Sequence, residues 1–327
     1  MKKRNIIIIV ITTILVLYFA LKDNYLEIIP LLFKASLPFL ILGFLLVLSY
    51  CFFKACLLHN IINKFKKYSF TKTFNLQIMT FFFNGITPFA TGGQPFQVYV
   101  LAKAGLTLSE GTSVIAQESI LHQISIIILS VIVLILNNIF NICKINNSLL
   151  ILGFLINLVV LILLFVLAYF KKIDKIVIKW LIKVLTKFKI IKHKDQTILK
   201  INEAVNEFNI GSKILLNNKL RLLKLIIVNI IGLITLYIIP LVILFSLGDY
   251  TSFNGITSIV LVTFIALISS FIPLPGGTGG CEYLFMVLFG YYLKNPLLSS
   301  VMLLWRFITY YLPMIVGAIL FNIKKEK

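Results

Sequence analysis

Two short segments decide how this chain folds: Pro88-Phe89-Ala90-Thr91-Gly92-Gly93 and Pro275-Gly276-Gly277-Thr278-Gly279-Gly280. Both read Pro-x-x-Thr-Gly-Gly, and position 275 lies 187 residues after position 88. Each segment interrupts an apolar region, residues 74–108 in the first case and residues 254–293 in the second. Because proline and consecutive glycines break a helix, each region is predicted to form a helix-turn-helix hairpin in place of a straight span.

The composition around these segments is that of a membrane protein. Of the 327 residues, 60% are hydrophobic and 13% are charged, and the mean hydropathy is +1.02. These values exclude an ordinary soluble domain. A bilayer is crossed by about 20 apolar residues, and six runs are long enough: 5–21, 36–58, 111–136, 149–170, 225–247 and 297–322. We therefore predict an all-α polytopic membrane protein, a single integral membrane domain over residues 1–327.

The charge distribution predicts the topology. The chain has 31 Lys and Arg against 11 Asp and Glu, a formal charge of +20. Most basic residues lie in four connections, residues 1–4, 54–72, 171–224 and 323–327. Loops rich in Lys and Arg stay in the cytoplasm, so we expect a multi-pass protein of the cell membrane with both termini cytoplasmic. The basic excess then needs no nucleic-acid partner, and the first run is expected to be a retained anchor.

This topology gives the two hairpins opposite orientations. The hairpin of residues 74–108 is entered from the cytoplasm, whereas that of residues 254–293 is entered from outside. The spans before and after each hairpin also run in opposite senses. We therefore predict an inverted repeat, with residues 36–136 as the first copy and residues 225–322 as the second, and broken helices that meet near the midplane.

Two glycine-rich turns at membrane depth predict a cavity, because unpaired backbone amides are tolerated only inside protein or beside water. The helices that start after Gly93 and Gly280 are expected to direct free amides toward an anion. The candidate binding residues of the two turns are Thr91, Gly92, Gly93, Gln94, Gln97, Thr278, Gly279 and Gly280. In the alternative interpretation, the glycines permit close helix packing and the polar side chains cap the half-helices.

Five ionisable residues lie within apolar segments: Lys103, Glu118, His122, Glu282 and Arg306. Charges at this depth are costly, so each is expected to face the interior and find a partner. Glu118 is a possible partner for Arg306, and Glu282 competes with it. As a binding site, Arg306 holds a phosphate and His122 couples a proton. The alternatives are static ion pairs, and for Lys103 a side chain that snorkels to the interface.

Other features predict no catalytic or metal chemistry. Cys51, Cys56, Cys143 and Cys281 lie in or beside apolar runs without metal-ligand spacing, and we interpret them as small apolar residues. No nucleophile, base and orienting group are evident, so no catalytic residue, metal or cofactor is predicted. The basic cytoplasmic segment, residues 171–224, shows helical spacing of apolar residues opposite lysines, and we predict an interfacial amphipathic helix there.

The chain resembles the transmembrane-region family of lysylphosphatidylglycerol synthases, the flippase-like half of a bifunctional protein. The resemblance rests on residues 84–88 (Asn-Gly-Ile-Thr-Pro), 92–95 (Gly-Gly-Gln-Pro) and 273–277 (Pro-Leu-Pro-Gly-Gly), and on Gly105, Glu118, Gly279, Glu282, Arg306 and Pro313. We expect the stand-alone form, without the acyltransferase domain. Many relatives follow the glutamate with Arg, whereas this chain has Ser119.

The resemblance implies lipid translocation. Bifunctional members attach an amino acid from aminoacyl-tRNA to phosphatidylglycerol and move the product to the outer leaflet, which gives resistance to cationic peptides. We therefore predict a transporter that moves an anionic or aminoacylated phospholipid, of the phosphatidylglycerol or lysylphosphatidylglycerol type, between leaflets. The alternatives are a membrane component of phosphatidylglycerol lysyltransferase activity and an ion-coupled small-solute transporter. The expected partners are anionic phospholipids, with a separate synthase or a second copy of the chain as further candidates.

Overall fold

The computed structural model describes residues 25–142, 147–169, 218–269, 272 and 274–325. Its regular structure over these ranges is helical. The helices are α1 (Tyr25–Lys34), α2 (Leu37–Ile62), α3 (Phe70–Gly85), α4 (Gly93–Lys103), α5 (Leu108–Phe140), α6 (Asn147–Tyr169), α7 (Lys219–Tyr237), α8 (Ile239–Ser246), α9 (Gly255–Ser269), α10 (Gly280–Phe289), α11 (Leu297–Arg306) and α12 (Leu312–Lys325). The predicted span at residues 5–21 and the predicted interfacial helix lie outside the described residues.

Four helical stretches are long and apolar enough to cross a membrane: Leu37–Ile62, Leu108–Phe140, Lys219–Ser246 and Leu297–Lys324. Each contains one of the predicted spans. The predicted run at residues 149–170 falls on α6, which has 23 residues. On α5, exposed apolar side chains follow a helical stripe: Ile128, Val131, Ile132, Ile135 and Ile139. Such a stripe suits contact with lipid, and the architecture is that of a polytopic helical membrane protein.

Two of these stretches are not the uninterrupted helices expected from the sequence. The stretch Lys219–Ser246 divides at Ile238 into α7 and α8, and Pro240 lies in the first turn of α8. Proline lacks the amide that continues a helix, which accounts for the break. The stretch Leu297–Lys324 contains a π-helical segment, Phe307–Tyr311, directly after Arg306. Such wide turns are frequent at functional sites.

A further difference is α1, which the sequence reading assigned to a connection. Residues 22–35 lie between two predicted spans, yet Tyr25–Lys34 is helical and packs against α11. Its ten residues include Pro30 and are too few to cross a bilayer. Hydropathy therefore gave no signal for it.

Both broken regions form the predicted helix-turn-helix hairpins. The first consists of α3, a first turn (residues 86–92) and α4. The second consists of α9, a second turn (described over residues 274–279) and α10. The second helix of each hairpin begins at Gly93 or Gly280, as the sequence predicts. The two turns also meet, because Pro88 and Pro275 form an antiparallel backbone bridge.

The two turns share their threonine bond and two left-handed residues, although Gly92 has a φ of −72° and the equivalent Gly279 a φ of 86°. The Thr91 hydroxyl donates to the Pro88 carbonyl at 3.0 Å, and the Thr278 hydroxyl donates to the Pro275 carbonyl at 2.9 Å. The two residues between proline and threonine are left-handed in both turns. Their φ angles are 54° at Phe89, 51° at Ala90, 60° at Gly276 and 63° at Gly277. Glycine adopts this conformation freely, whereas other L-residues lose about 1–2 kcal/mol each.

Helix packing in the first half has a counterpart in the second. α2 packs against α7, the corresponding helix of the other half. α3 packs against α12, and α9 packs against α5. Within each half, the second hairpin helix lies on the following span, α4 on α5 and α10 on α11. This arrangement brings the two turns together between the helices of both halves, with Thr278 of the second turn buried and residues 88–91 of the first turn exposed.

Candidate functional site

A cavity lies where the two turns meet, and it has two adjoining chambers. The first chamber, of about 680 Å³, extends between α2, α3, α4, α5 and α6. The second chamber, of about 380 Å³, extends toward α9, α10, α11 and the π-helical segment. The residues that line both chambers are Tyr50, Phe81, Asn84, Phe89, Ala90, His122, Ile126 and Ala266. The two chambers therefore adjoin and share these residues as a common wall.

The first chamber contains a buried ion pair. The Lys54 Nζ lies 2.7 Å from Glu118 Oε1, and the two side chains are 14% and 5% exposed. Gln77 Nε2 donates to the same carboxylate oxygen at 3.2 Å. The expected pairing of Glu118 with Arg306 is therefore wrong. The sequence reading counted Lys54 among the loop cations, but α2 continues to Ile62, so Lys54 lies inside the helix.

His122 stands beside this ion pair and lines both chambers. It lies one helical turn after Glu118 on α5, so the two side chains share a face. The Nδ1 atom of His122 is 3.2 Å from Nδ2 of Asn229, on α7. With Nδ2 as the donor, Nδ1 is the unprotonated ring nitrogen. Asn229 is buried, 1% exposed, and contacts the imidazole ring at Nδ1.

Arg306 lines the second chamber and forms the other ion pair with Glu282, which lies behind it and outside the lining. Arg306 Nε donates to Glu282 Oε1 at 2.6 Å, and Arg306 Nη2 donates to the Gly276 carbonyl at 3.1 Å. The guanidinium carbon lies 4.5 Å from the ring centroid of Tyr310, a cation–π contact. The Tyr310 hydroxyl in turn donates to the Gly85 carbonyl at 2.8 Å. Arg306 is thus fixed to the second turn and, through Tyr310, linked to the first hairpin.

Three amides at the starts of the hairpin helices, those of Gly92, Gly93 and Gly279, are bonded to side chains and so are not free to bind an anion. The Glu282 carboxylate accepts from the Gly279 amide at 2.6 Å and so caps α10. At α4, the Gly92 amide donates to Thr87 Oγ1 and the Gly93 amide donates to Asn84 Oδ1, both at 2.8 Å. Side chains of the hairpins themselves satisfy these donors, as in other helix caps.

The sequence model for the lysylphosphatidylglycerol synthase TM region matches residues 5–317. The chain belongs to this family. The match covers both hairpins, both ion pairs and the spans between them, and it confirms the resemblance drawn from the motifs. Among curated proteins, none matches the chain.

In this family member, the predicted polar residues of the turns divide into two groups. Gln94 and Gln97 line the first chamber, and Gln94 Nε2 donates to Ser119 Oγ at 3.2 Å. Ser119 therefore holds a glutamine at the wall of the first chamber. Thr91 and Thr278 instead bond within their own turns. Contact of either threonine with a headgroup stays a prediction.

The glycines at the starts of the hairpin helices are sites of close packing. A Cβ at Gly93 would overlap Asn84 and Thr80, and one at Gly280 would overlap Ile272. These contacts support the packing interpretation of both glycines.

Lys103 lies outside the cavity. It is exposed, and its Nζ is 4.9 Å from the ring centroid of Tyr99. This position agrees with the snorkelling alternative.

Proposed function

We propose that this protein is a flippase-like transporter that moves an anionic or aminoacylated phospholipid, of the phosphatidylglycerol or lysylphosphatidylglycerol type, between the leaflets of the cell membrane. The observation that carries the proposal is the pair of adjoining chambers, one lined by the buried Lys54–Glu118 pair and the other by Arg306, which is paired with Glu282. The headgroup passes through the cavity while the acyl chains stay in the bilayer.

The position of the cavity along the helices supports passage through the membrane interior. His122 lies near the middle of α5, a helix of 33 residues. Asn157, on the wall of the first chamber, lies near the middle of α6. Lys54 and Arg306 lie only a few residues from the centres of their spans. Polar and charged groups at this depth typically mark a substrate pathway.

An inverted repeat places the two ion pairs on opposite sides of the midplane. Lys54 lies toward the cytoplasmic end of α2 in the predicted topology, and Arg306 lies toward the outer end of the span Leu297–Lys324. The matching φ angles of the two turns, their equivalent threonine bonds and the Pro88–Pro275 bridge support this symmetry. The Lys54–Glu118 pair then serves the inner leaflet, and the Arg306–Glu282 pair serves the outer leaflet.

Carboxylates occupy the phosphate-binding groups between transport cycles. Glu282 contacts both Arg306 and the Gly279 amide, and a phosphate has suitable oxygens for the same donors. An arriving headgroup displaces the Glu282 carboxylate from the Arg306 guanidinium. When the headgroup leaves, the carboxylate binds the guanidinium again. Arginine suits this role because its planar donors match a phosphate.

Access to the first chamber lies at the first turn. Phe89 and Gln94 line the chamber, and both side chains are exposed, Phe89 to 52%. α4 and α6 flank this region, and both pack on α5. Because the turn is at membrane depth in the proposed topology, this opening faces the lipid, as a path for an acyl-chain-bearing substrate requires.

Reconstitution into vesicles tests the proposal. We expect Arg306→Ala and Glu118→Gln to abolish translocation of fluorescent phosphatidylglycerol and lysylphosphatidylglycerol, measured by the fraction of label accessible to an external quencher. Lys103→Ala is the matched control, because it removes a cation outside the cavity, and it should keep the wild-type rate. Wild-type rates in both cavity variants would refute the mechanism.

The family favours one second candidate, a membrane component of phosphatidylglycerol lysyltransferase activity. Mass spectrometry of lipids from cells with and without the gene separates the two functions. A change in the total aminoacylated lipid supports the lysyltransferase component. A change confined to its distribution between leaflets supports transport.

A further inference from the structure

We propose that an anionic headgroup entering the first chamber is accompanied by one proton, which binds to His122. The inference rests on the proposed function and adds an energy source to it, because a proton that enters and leaves with the lipid couples transport to the proton gradient. Three observations carry it: the charge balance of the cavity, the position of His122 beside Glu118, and an unsatisfied oxygen on Asn229.

The charged side chains of the cavity balance one another. Lys54 and Arg306 are each paired with one carboxylate, Glu118 or Glu282. The other titratable groups that line the two chambers are Tyr50, Cys51, His122, Tyr237, Cys281 and Tyr310. One phosphate added to this set leaves a net negative charge in a low-dielectric space, which is costly. One added proton restores neutrality.

His122 is placed to carry that proton. When the phosphate takes the Lys54 ammonium, the carboxylate of Glu118 loses its cation. Protonated His122 replaces this cation, because residues one helical turn apart are within reach of each other. Lys54 suits the exchange, since its long flexible stem carries a compact charge that swings between two anions. The loaded state then contains two ion pairs in the first chamber, phosphate with Lys54 and Glu118 with His122.

Asn229 can accommodate both protonation states. Its Oδ1 atom is a buried side-chain oxygen without a hydrogen-bond partner in the part of the chain that the structure describes. Its Nδ2 donates to His122 Nδ1 in the unloaded state. Rotation of the amide by half a turn exchanges the two atoms, and Oδ1 then accepts a hydrogen from protonated Nδ1. The unsatisfied oxygen thereby gains a partner when the proton binds.

The step balances without any covalent change. One proton from the aqueous phase binds to Nδ1 of His122 as one phosphate monoanion binds to Lys54. When the headgroup leaves, Lys54 returns to Glu118, the amide of Asn229 rotates back, and the proton leaves His122. The loaded and unloaded cavities have the same net charge. Transport of phosphatidylglycerol is therefore electrically neutral and driven by the proton gradient alone.

Nuclear magnetic resonance of ¹⁵N-labelled histidine tests proton uptake directly. The chain has three histidines, His59, His122 and His193. The double variant His59→Gln/His193→Gln therefore leaves His122 as the one source of imidazole signals. In phosphatidylcholine nanodiscs, His122 should be neutral and protonated at Nε2 across pH 5–8. With phosphatidylglycerol added, its protonation midpoint should rise by at least one pH unit. The matched control is Lys54→Gln, which has the same bilayer surface charge but lacks the cation, and it should show no rise.

Two substitutions at Asn229 sharpen this test. Asn229→Asp should raise the protonation midpoint of His122 in the loaded state, because a carboxylate stabilises the imidazolium. Asn229→Leu should lower it, because the acceptor is lost. An elution profile from gel filtration that matches the wild type shows that each variant is folded. Equal midpoints in both variants and the wild type contradict the inference.

Transport measurements provide an independent readout. In wild-type vesicles, the rate of phosphatidylglycerol translocation should rise as the pH falls, by up to ~10-fold per unit for one titrating group. It should also be insensitive to an imposed membrane potential. His122→Gln should translocate slowly, at a rate independent of pH. Translocation with a His122 signal that lipid does not change would overturn the inference but not the proposed function. A His122→Gln variant with the same pH profile as the wild type would do the same. Absence of both translocation and the lipid-dependent signal overturns the proposed function as well.

Discussion

The two ion pairs of the cavity differ in how firmly the surrounding backbone holds them. Arg306 bonds to Glu282 and to the Gly276 carbonyl, and Glu282 also caps α10. The pair therefore ties α11 to the second turn and to the start of α10. Lys54 and Glu118 come from two different spans, and their side chains meet with one additional hydrogen bond, from Gln77. The Arg306–Glu282 pair is therefore held by backbone groups, whereas the Lys54–Glu118 pair is held by side chains.

This difference assigns different roles to the two cations. A planar arginine with two fixed partners preserves the shape of the second turn while it offers its remaining donors to a ligand. A lysine with a single carboxylate partner can leave it at lower cost. In the proposed transport cycle, exchange of a headgroup therefore begins in the first chamber, and the Arg306–Glu282 pair is held more rigidly.

The largest expected effect comes from breaking each pair separately. Arg306→Met leaves the Glu282 carboxylate buried and loses the bond to Gly276, so we expect a loss of about 3–5 kcal/mol in stability. Lys54→Met should cost less, because Lys54 is twice as exposed as Arg306, 14% against 7%. Thermal unfolding midpoints in detergent measure the difference. The double variant Arg306→Met/Glu282→Gln should recover much of the loss, and equal effects of the two single variants would contradict the comparison.

A smaller effect distinguishes the two turns. Gly276→Ala places a side chain at a φ of 60° and against the ring of Tyr310, so it should lower stability by at least ~1–2 kcal/mol. Ala90→Gly, at a φ of 51°, relieves strain and should be neutral or stabilising by up to ~1 kcal/mol. The unfolding midpoint of each variant gives the sign. Changes of the same sign would contradict the argument from left-handed backbone strain.

The smallest effect concerns the threonines of the motif. Thr278 is fully buried, and Thr278→Val should cost ~0.5–1.5 kcal/mol through the lost bond to Pro275. Thr91 is exposed, and water can replace its bond in Thr91→Val, so its stability should change less. Measuring translocation alongside stability separates the two interpretations of Thr91. Lower transport at unchanged stability supports contact with a headgroup.

Much of the fold followed from residue pattern alone. The repeated Pro-x-x-Thr-Gly-Gly segment predicted two turns, and the second hairpin helices begin at Gly93 and Gly280 as expected. This prediction was accurate because proline and glycine act locally on the backbone. The membrane class was predictable for a similar reason, since hydropathy sums over a whole span.

The pairing of charges was not predictable in the same way. Lys54 was assigned to a loop because it stands among other cations, and hydropathy does not show where a helix ends. Partners for Glu118 and Arg306 depend on which helix faces pack together, and spacing along one chain does not specify them. Glu282 was named as the competing partner of Arg306, and the structure shows this pair.

The bridge between Pro88 and Pro275 has a mechanical consequence. In the proposed inverted repeat, a rotation that exchanges the two halves leaves the points on its axis unmoved. The bridge joins equivalent residues of the halves and therefore stands on that axis. When the halves rock against each other, this point acts as a fulcrum, and displacement grows with distance from it. In the proposed mechanism, Lys54 and Arg306 lie away from this point on opposite sides. A small tilt of one half against the other therefore widens one chamber and narrows the other.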